Sequence, residues 1–254
     1  MKRVAFFSDI HANLPALQAV LADIESHDLD GSYCLGDLVG YGGDPNGVID
    51  LVRDSGFPTI LGNYDQGVAW ETGDCGCFYP DEAAKRVGEA SYTFSAAAVT
   101  DENKAWLRGL ERELHIDLEG MKIHLVHGSP RRINEYLLKD RDDRTYERLA
   151  AAETDDVLVF GHTHQFWQRR FGHVTFVNIG SVGRPKDGDP RAGYVILEVG
   201  KRDSAGPDVA GPGVARPEVS AHLVRVAYDF EVAARAILNA GLPPSLAERV
   251  RIGR

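Results

Sequence analysis

Five short segments of this chain place candidate metal ligands directly after short apolar runs. Residues 4–7 precede Asp9 and His11, and residues 157–160 precede His162 and His164. A short apolar run bounded by turn residues is typical of a buried strand, and ligands of open α/β sheets bind outside the carboxyl ends of the strands. The complete set consists of Asp9, His11, Asp37, Asn63, His127, His162 and His164. Carboxylate, imidazole and amide donors gathered at one sheet edge would suit divalent metal ions.

The length and charge of the chain narrow the classes of protein to which it can belong. Its 254 residues suit a single α/β domain spanning residues 1–254. The net charge of −10 argues against broad nucleic-acid binding and against docking on an anionic membrane, because both favour a basic face. An anionic substrate is compatible with this net charge, because bound divalent ions would make the local charge of the protein positive.

The sequence pattern predicts a cytoplasmic protein. Asp9 interrupts the N-terminal apolar run, and no stretch approaches the length of a membrane span. The three cysteines, Cys34, Cys75 and Cys77, make a poor disulfide framework, so we expect a reducing compartment. The Cys75-Gly76-Cys77 segment lacks a second Cys/His pair at zinc-site spacing and is interpreted as an ordinary loop.

The first part of the chain alternates strand and helix patterns. Strands are predicted over residues 3–8, 32–35 and 59–61. Helices are predicted to begin at Pro15 and at Asp44-Pro45. This βαβαβ order predicts parallel strands joined by right-handed crossovers.

The rest of the chain does not continue this alternation of strand and helix patterns. Residues 64–99 break the alternation and would form either a lid or pocket wall, or an ordinary connecting subdomain. Glycine-containing turns at residues 119–120 and 171–173 predict two antiparallel hairpins. The remaining predictions are a helix over 81–90, strands over 194–199 and 219–226, a loop over 201–217, a helix capped by Asp229 and a short helix capped by Ser245.

The ligand-bearing segments are weak signals individually, but their order is informative. A lone histidine at a strand end is more often structural, and Asp or Asn after glycine is usually a turn former. In chain order the segments are Ser8-Asp9-Ile10-His11-Ala12-Asn13, Gly36-Asp37, Gly62-Asn63-Tyr64-Asp65, His127-Gly128 and Gly161-His162-Thr163-His164. This five-block pattern resembles the signature of the calcineurin-like metallophosphoesterases. The resemblance extends to about residue 199 and looks closest to the small cytosolic phosphodiesterase branch of bacteria and archaea.

The resemblance implies a fold and a metal centre. The family fold is an α/β two-sheet β-sandwich with mixed sheets flanked by helices. Two divalent ions are expected, with Mn²⁺ favoured and Fe, Zn²⁺ and Ni²⁺ as alternatives. Carried over position by position, one ion would take Asp9, His11 and His164, the other would take Asn63, His127 and His162, and Asp37 would bridge them.

The activity implied is hydrolysis of a small phosphoester substrate by a metal-bridging hydroxide. The residues implied in catalysis are Asp37, Asn63, Asp65 and Asn13, and Asn13 has helix capping as an alternative role. A scaffold on the same fold and a DNA nuclease are competing interpretations, and the nuclease would require a basic channel. No membrane partner is expected, nucleic acid is disfavoured, and a homo-oligomer is left open.

Tyr64 departs from the family pattern, because many members have a histidine there to assist the phosphate or the leaving oxygen. Without that acid, esters with strongly basic leaving groups lose assistance, so phosphodiesters are the favoured substrates. Tyr64 would either donate a hydrogen bond to the substrate or pack against the 64–99 segment. Arg131, Arg184 and Arg191 are candidate phosphate contacts, with a solvated loop arginine as the alternative. The histidines outside the blocks are interpreted as structural or surface residues: His27, His115, His124, His173 and His222.

Overall fold

The computed structural model describes residues 1–200 and 218–254, which form two mixed β-sheets with helices on their outer faces. The strands are β1 (Lys2–Phe7), β2 (Gly31–Cys34), β3 (Glu113–Leu118), β4 (Met121–Val126), β5 (Val157–Phe160), β6 (Phe166–Phe171), β7 (Val174–Ile179), β8 (Ala192–Gly200) and β9 (Glu218–Val226). One sheet has the order β2-β1-β8-β9, and the other has the order β3-β4-β5-β7-β6.

The helices fill the connections between strands and follow the last one. They are α1 (Leu14–Glu25), α2 (Pro45–Ser55), α3 (Asn63–Ala69), α4 (Glu82–Ala98), α5 (Asp101–Arg108), α6 (Asp143–Ala152), α7 (Phe230–Asn239) and α8 (Pro244–Ile252). The sequence signals explain the ends of α2. The Asp44 side chain accepts a hydrogen bond from the Gly47 amide at 3.0 Å, and Gly56 ends the helix with a φ of 68° that favours glycine.

The two sheets enclose a shared apolar core. Val4 and Phe6 of β1 belong to the same cluster as Ile123 of β4 and Val159 of β5. Because successive side chains of a strand point to opposite faces, Phe7 enters a different cluster with α1 and α2. The central strands are therefore apolar on both faces, and the predicted α/β two-sheet sandwich flanked by helices is confirmed.

Strand pairing confirms most of the predicted topology and corrects one element. β1 and β2 are parallel, and the β3–β4 and β6–β7 hairpins are antiparallel, as predicted. The predicted strand over residues 59–61 is wrong, because that segment makes only isolated bridges from Thr59 to Cys34 and from Ile60 to Glu111. Pro58, which has no amide hydrogen, and the start of α3 at Asn63 leave too few residues for a regular ladder.

Two helix predictions also change. The helix predicted over 81–90 extends as α4 to Ala98, since no proline interrupts it and its last residues favour helix. Ser245 lies inside α8 and does not cap it, because the helix begins at Pro244 after Pro243. The predicted loop over 201–217 lies outside the described residues. The role of 64–99 as a lid stays a prediction.

The cysteine prediction is corrected as well. Cys75 and Cys77 form a disulfide, whereas Cys34 is free and buried. A left-handed turn at Gly76, with a φ of 63°, brings the two Cα atoms to 5.4 Å despite the spacing of two residues. Within the described ranges, none of the helices combines the length and apolar character needed to cross a bilayer.

His124 anchors a charged network on the outer side of the second sheet. It is opposite His115 in the β3–β4 register, and the two rings stack 4.2 Å apart. Its Nδ1 lies 2.8 Å from Glu153 Oε2, and its Nε2 lies 3.3 Å from Glu113 Oε2. Burial disfavours charge on the imidazole, but the two carboxylates raise the pKa of His124. Burial opposes charge on Glu153 too, yet the hydrogen bond from His124 lowers the pKa of Glu153 to about 2.

The His124–Glu153 pair should stabilise the fold most in mildly acidic solution. The lowered pKa of Glu153 contributes stability above its ordinary value of 4.5, and that stability is lost as pH falls towards about 2. The raised pKa of His124 contributes stability below its ordinary value of 6.5, and that stability is lost as pH rises through the folded value. In urea titrations, His124→Gln should therefore cost more unfolding free energy at about pH 5.5 than at about pH 9.

The matched control is His222→Gln, because His222 is exposed and lies 3.7 Å from its nearest carboxylate, Glu198. This variant should behave like the parent at both pH values. A His124→Gln penalty that is equal at both pH values would contradict the charged pair.

Candidate metal centre

Five of the seven predicted ligands have left-handed backbone, which non-glycine residues seldom adopt. Their φ angles are 54° at Asp9, 50° at His11, 54° at Asp37, 66° at His162 and 61° at His164. Each such residue costs about 1–3 kcal/mol and persists only where the surrounding structure fixes it. In the described part of the chain, five of the nine left-handed non-glycine residues are thus predicted ligands that turn their side chains towards one another. This concentration of strain makes the loops a candidate functional region.

Asp9, His11 and His164 form the first ligand set. Asp9 Oδ1 lies 3.7 Å from His11 Nε2 and 3.2 Å from His164 Nε2, and the two nitrogens are 3.1 Å apart. The three residues are at most 3% exposed, and Asp9 Oδ1 has no hydrogen-bond partner. A buried carboxylate oxygen without a donor is costly unless a cation satisfies it, so this set fits a metal ion.

Asp37, Asn63, His127 and His162 form the second set. His127 Nε2 lies 3.1 Å from Asn63 Oδ1 and 3.4 Å from Asp37 Oδ2. The ligating atoms of Asp37, His127 and His162 all lie within 4.8 Å of one another, and His162 Nε2 has no hydrogen-bond partner. Asn63 Nδ2 donates to the Cys75 carbonyl at 2.8 Å, which turns the amide oxygen towards His127. This donor set also fits a divalent ion.

Asp37 lies between the two sets. Its Oδ2 atom is 3.8 Å from His11 Nε2 in the first set and 3.4 Å from His127 Nε2 in the second. Its other oxygen, Oδ1, accepts a hydrogen bond from the Tyr64 amide at 2.8 Å, which fixes the carboxylate orientation. Asp37 therefore stands where a bridging ligand would stand.

Backbone carbonyls select the tautomer of three ligand histidines. The Nδ1 atoms of His11, His127 and His164 lie 3.0, 2.7 and 2.6 Å from the carbonyl oxygens of Val39, Leu35 and Arg184. A carbonyl can only accept, so each Nδ1 must carry the hydrogen and donate it. The Nε2 atoms then face the ligand sets, as is usual for metal-binding histidines.

Burial and mutual charge shift the pKa values at the centre in two directions. Burial, followed by His164, lowers the pKa of His11 to about 3, and burial also lowers the pKa values of His162 and His164. Burial disfavours charge on His127 too, but the Asp37 carboxylate raises its pKa to about 10. His127 is therefore the ligand that would have to release a proton when a cation binds.

Asp65 and Asn13 act on the framework around the ligands. Asp65 accepts hydrogen bonds from the amides of Leu38, Val39 and Gly62 at 2.9, 3.2 and 3.1 Å. It therefore ties the loop of Asp37 to the loop of Asn63. Burial, followed by the charge of Asp37, raises the pKa of Asp65 to about 7.

Asn13 caps α1, which is the alternative role predicted for it from the sequence. Its Oδ1 accepts a hydrogen bond from the Ala16 amide at 3.2 Å, and its Nδ2 donates to the Gly183 carbonyl at 3.0 Å. A direct contact of Asn13 or Asp65 with a reacting group stays a prediction.

The candidate substrate residues have different surroundings. Tyr64 is fully buried, and its hydroxyl lies 2.7 Å from Ser91 Oγ, so packing is the role that its contacts favour. Arg131 is ion-paired with Glu135 on the surface. Arg184 is only 8% exposed, and its guanidinium carbon lies 4.0 Å from the centre of the Tyr41 ring.

Three residues near the ligands were missed by sequence reasoning. The Tyr41 ring is 5.0 Å from that of His11, and the Tyr136 ring is 4.1 Å from that of His162. The Lys186 amide donates to the His164 carbonyl at 3.3 Å. None of them belongs to a ligand block. The only sequence hint was Lys186, which lies two residues after Arg184 in the loop that follows β7.

The chain is similar in sequence to a known family domain and to several known proteins. Residues 1–202 match the model of the calcineurin-like phosphoesterase superfamily domain. The chain is 29% identical to the uncharacterised protein MJ0912 of Methanocaldococcus jannaschii, over 99% of this chain and 98% of that protein. It is 26% identical to the phosphodiesterase YfcE of Escherichia coli, over 78% of this chain and 88% of that protein.

Solved structures agree with this grouping. A metallophosphoesterase from Sphaerobacter thermophilus matches with a TM-score of 0.72 and 29% identity, over 100% of this chain and 99% of that one. The protein PH1004 from Pyrococcus horikoshii shares the fold, with a TM-score of 0.81 at 21% identity, over 100% of this chain and 99% of that one. The chain therefore belongs to the calcineurin-like phosphoesterase superfamily, as its five ordered blocks predicted, in its small prokaryotic branch.

Proposed function

We propose that this chain is a dinuclear metal-dependent phosphoesterase that prefers phosphodiesters. The observation that carries the proposal is the position of Asp37 Oδ2, 3.8 Å from His11 Nε2 and 3.4 Å from His127 Nε2. One carboxylate shared by two ligand sets is needed only if two cations are bound close together. Mn²⁺ is the ion we favour, with Fe, Zn²⁺ and Ni²⁺ as alternatives, because all of them accept the mixed nitrogen and oxygen donors of both sets.

With such a pair of ions, the protein would need no serine or cysteine nucleophile. When bound, two divalent ions activate a water molecule and neutralise charge on the phosphoryl oxygens. The protein holds the donors in place: Asp37 is fixed by the Tyr64 amide, and Asn63 is fixed by the Cys75 carbonyl. The ligands are at most 3% exposed, so the surroundings limit bulk water around the reacting phosphorus.

The preference for diesters rests on the lack of an identified proton donor for the leaving group. The Tyr64 hydroxyl is engaged with Ser91 Oγ at 2.7 Å, and burial raises the pKa of Tyr64 well above its usual value. The other histidines have partners elsewhere: His27 with Asp23, His115 with Asp155, His124 with Glu153, His173 with the Glu153 carbonyl and His222 with Glu198. An ester with a leaving oxygen of low basicity needs such a donor least. The similarity to the phosphodiesterase YfcE supports the same preference.

The shared carboxylate gives a prediction about metal content. Dialysed protein loaded with Mn²⁺ should hold two equivalents by elemental analysis. Asp37→Asn should retain less than one, because both sets lose their common charge and the amide cannot replace it. Its kcat/KM on bis(4-nitrophenyl) phosphate should fall by on the order of 10²-fold or more, the scale expected when one charge-stabilising group is removed.

The matched variant is His164→Ala, which removes a ligand from the first set only and should retain about one equivalent. If Asp37→Asn kept two ions and His164→Ala kept none, the bridge assignment would be wrong. Two firmly bound ions without activity on any phosphoester would instead support the scaffold interpretation.

The substrate preference gives a second prediction. The parent should have a higher kcat/KM on bis(4-nitrophenyl) phosphate than on an alkyl phosphomonoester such as glycerol 2-phosphate. Tyr64→His would place an imidazole where the family pattern implies one, and it should raise the monoester activity by about 10-fold more than the diester activity. Tyr64→Phe is the control, and it should leave the ratio unchanged, because the hydroxyl it removes contacts Ser91. A parent enzyme that prefers the alkyl monoester would refute the diester preference.

A further inference from the structure

A second cluster of metal-ligating side chains lies on the outer side of the second sheet and shares no residue with the two ligand sets. Glu113 and His115 point to the same face of β3, because they are two residues apart, and His124 is opposite His115 on β4. Glu153 and Asp155 reach the same place from the segment between α6 and β5. Two imidazoles and three carboxylates therefore meet outside the candidate metal centre.

His124 faces a carboxylate at each of its ring nitrogens. Its Nδ1 lies 2.8 Å from Glu153 Oε2, and its Nε2 lies 3.3 Å from Glu113 Oε2. Ionised carboxylates only accept hydrogen bonds, so a neutral imidazole can donate to one of them and must direct its lone pair at the other. The arrangement is favourable only if a cation, either a proton or a metal ion, lies between Nε2 and Glu113. In the metal-free protein a proton occupies that place, as in the charged network described above.

The spacing of these atoms suits a metal ion. Two ligands of one tetrahedral Zn²⁺ ion, each about 2.0–2.2 Å from it, lie about 3.3–3.6 Å apart. The distance of 3.3 Å between His124 Nε2 and Glu113 Oε2 agrees with this value. One ligand atom from each of Glu113, His115 and His124 can be chosen so that all three lie within 4.8 Å of one another. Because Glu113 and His115 are exposed, small rotations of their side chains can complete the geometry.

Glu153 and Asp155 hold the two imidazoles in the orientation that a metal site requires. His115 Nδ1 lies 2.5 Å from Asp155 Oδ2, and His124 Nδ1 is the atom that faces Glu153. Each Nδ1 therefore donates to a carboxylate, which leaves Nε2 as the ligating atom, and this is the usual arrangement around a bound metal ion. The two rings are stacked with their centres 4.2 Å apart, close enough to bind the same ion.

The charge of the cluster also favours a bound cation. In residues 1–200 and 218–254, His115 and His124 are the only basic side chains within ion-pair distance of Glu113, Glu153 and Asp155. Two histidines can offset at most two of the three negative charges, and charging both would place two cations in stacked rings, which repel each other. A divalent ion offsets two charges without that repulsion.

We propose that Glu113, His115 and His124 bind one Zn²⁺ ion, with Glu153 and Asp155 orienting the imidazoles and a water molecule as the fourth ligand. Zn²⁺ fits better than Mn²⁺, because imidazole nitrogens bind Zn²⁺ more tightly. The inference does not depend on the proposed function, since it involves neither of the two ligand sets. Through the orienting carboxylates, the ion would connect the β3–β4 hairpin to the segment between α6 and β5.

Zinc counting in matched variants tests this site. The protein and its variants are dialysed to equilibrium at neutral pH against a series of buffered free Zn²⁺ concentrations, and bound zinc is measured by elemental analysis. His115→Gln should lose one equivalent relative to the parent, or bind it at least about 10-fold more weakly, since even the loss of an orienting partner costs that much. The control is His222→Gln, which removes a similarly exposed strand histidine, 3.7 Å from Glu198, and should match the parent.

The difference between these variants separates this inference from the proposed function. It is the same whether the two ligand sets hold two ions, one or none, so an equivalent lost only in His115→Gln supports the site even if no ester is hydrolysed. Crystals of the zinc-loaded parent should show an anomalous peak at the zinc edge beside Nε2 of His115 and His124. Equal zinc binding by the parent and His115→Gln, an equal loss in His222→Gln, or no peak at the cluster would overturn the proposal. Circular dichroism and thermal unfolding establish that each variant is folded before it is compared.

Discussion

Hydrogen bonds at Asp37 join three of the loops that carry the ligands. Its carbonyl accepts from the amides of Ile10 and His11 at 2.9 and 3.0 Å, and its carboxylate accepts from the Tyr64 amide at 2.8 Å. Asp65 reinforces the same junction from the other side. These groups are buried, so moving one loop would leave several donors and acceptors unsatisfied at once. The network therefore fixes the backbone of these three loops relative to one another. It leaves the site electrostatically incomplete, because three buried carboxylates then lie close together.

The sequence could predict the ligands because their positions follow from local rules. Asp9, Asp37, His127 and His162 each follow an apolar run, and the ends of strands or the turns after them bring such residues to one edge. The same rules failed at residues 59–61, where an apolar pair between Pro58 and Gly62 resembled a strand but pairs only through isolated bridges. They also failed at Cys75 and Cys77, since pairing depends on the turn at Gly76 and not on the count of cysteines. Local pattern determines which residues can be ligands, whereas three-dimensional context determines what surrounds them.

The net charge of the chain likewise does not predict the charge around the ligands. A value of −10 gave no indication of a basic surface, but it also gave none of the buried arginine, Arg184, beside the first ligand set. Arg184 is 8% exposed, and its carbonyl accepts a hydrogen bond from His164 Nδ1. No sequence pattern marks this arginine as buried, so only the folded structure reveals its position beside a ligand. Electrostatic arguments about a substrate therefore depend on local charge, which acts over about 10 Å or less at ordinary ionic strength.

Under the proposed function, substrate selectivity would come from the walls of the site, because the ligands themselves are at most 3% exposed. The ligand blocks are what this chain shares with the family pattern. Contacts to the remainder of a substrate would then fall to residues outside these blocks, such as Tyr41, Tyr136 and Arg184. The ligands at the strand ends would thus carry out the reaction, whereas residues from other parts of the sequence would determine which ester binds. This division explains why the chemistry of the chain is easier to infer from its sequence than its substrate.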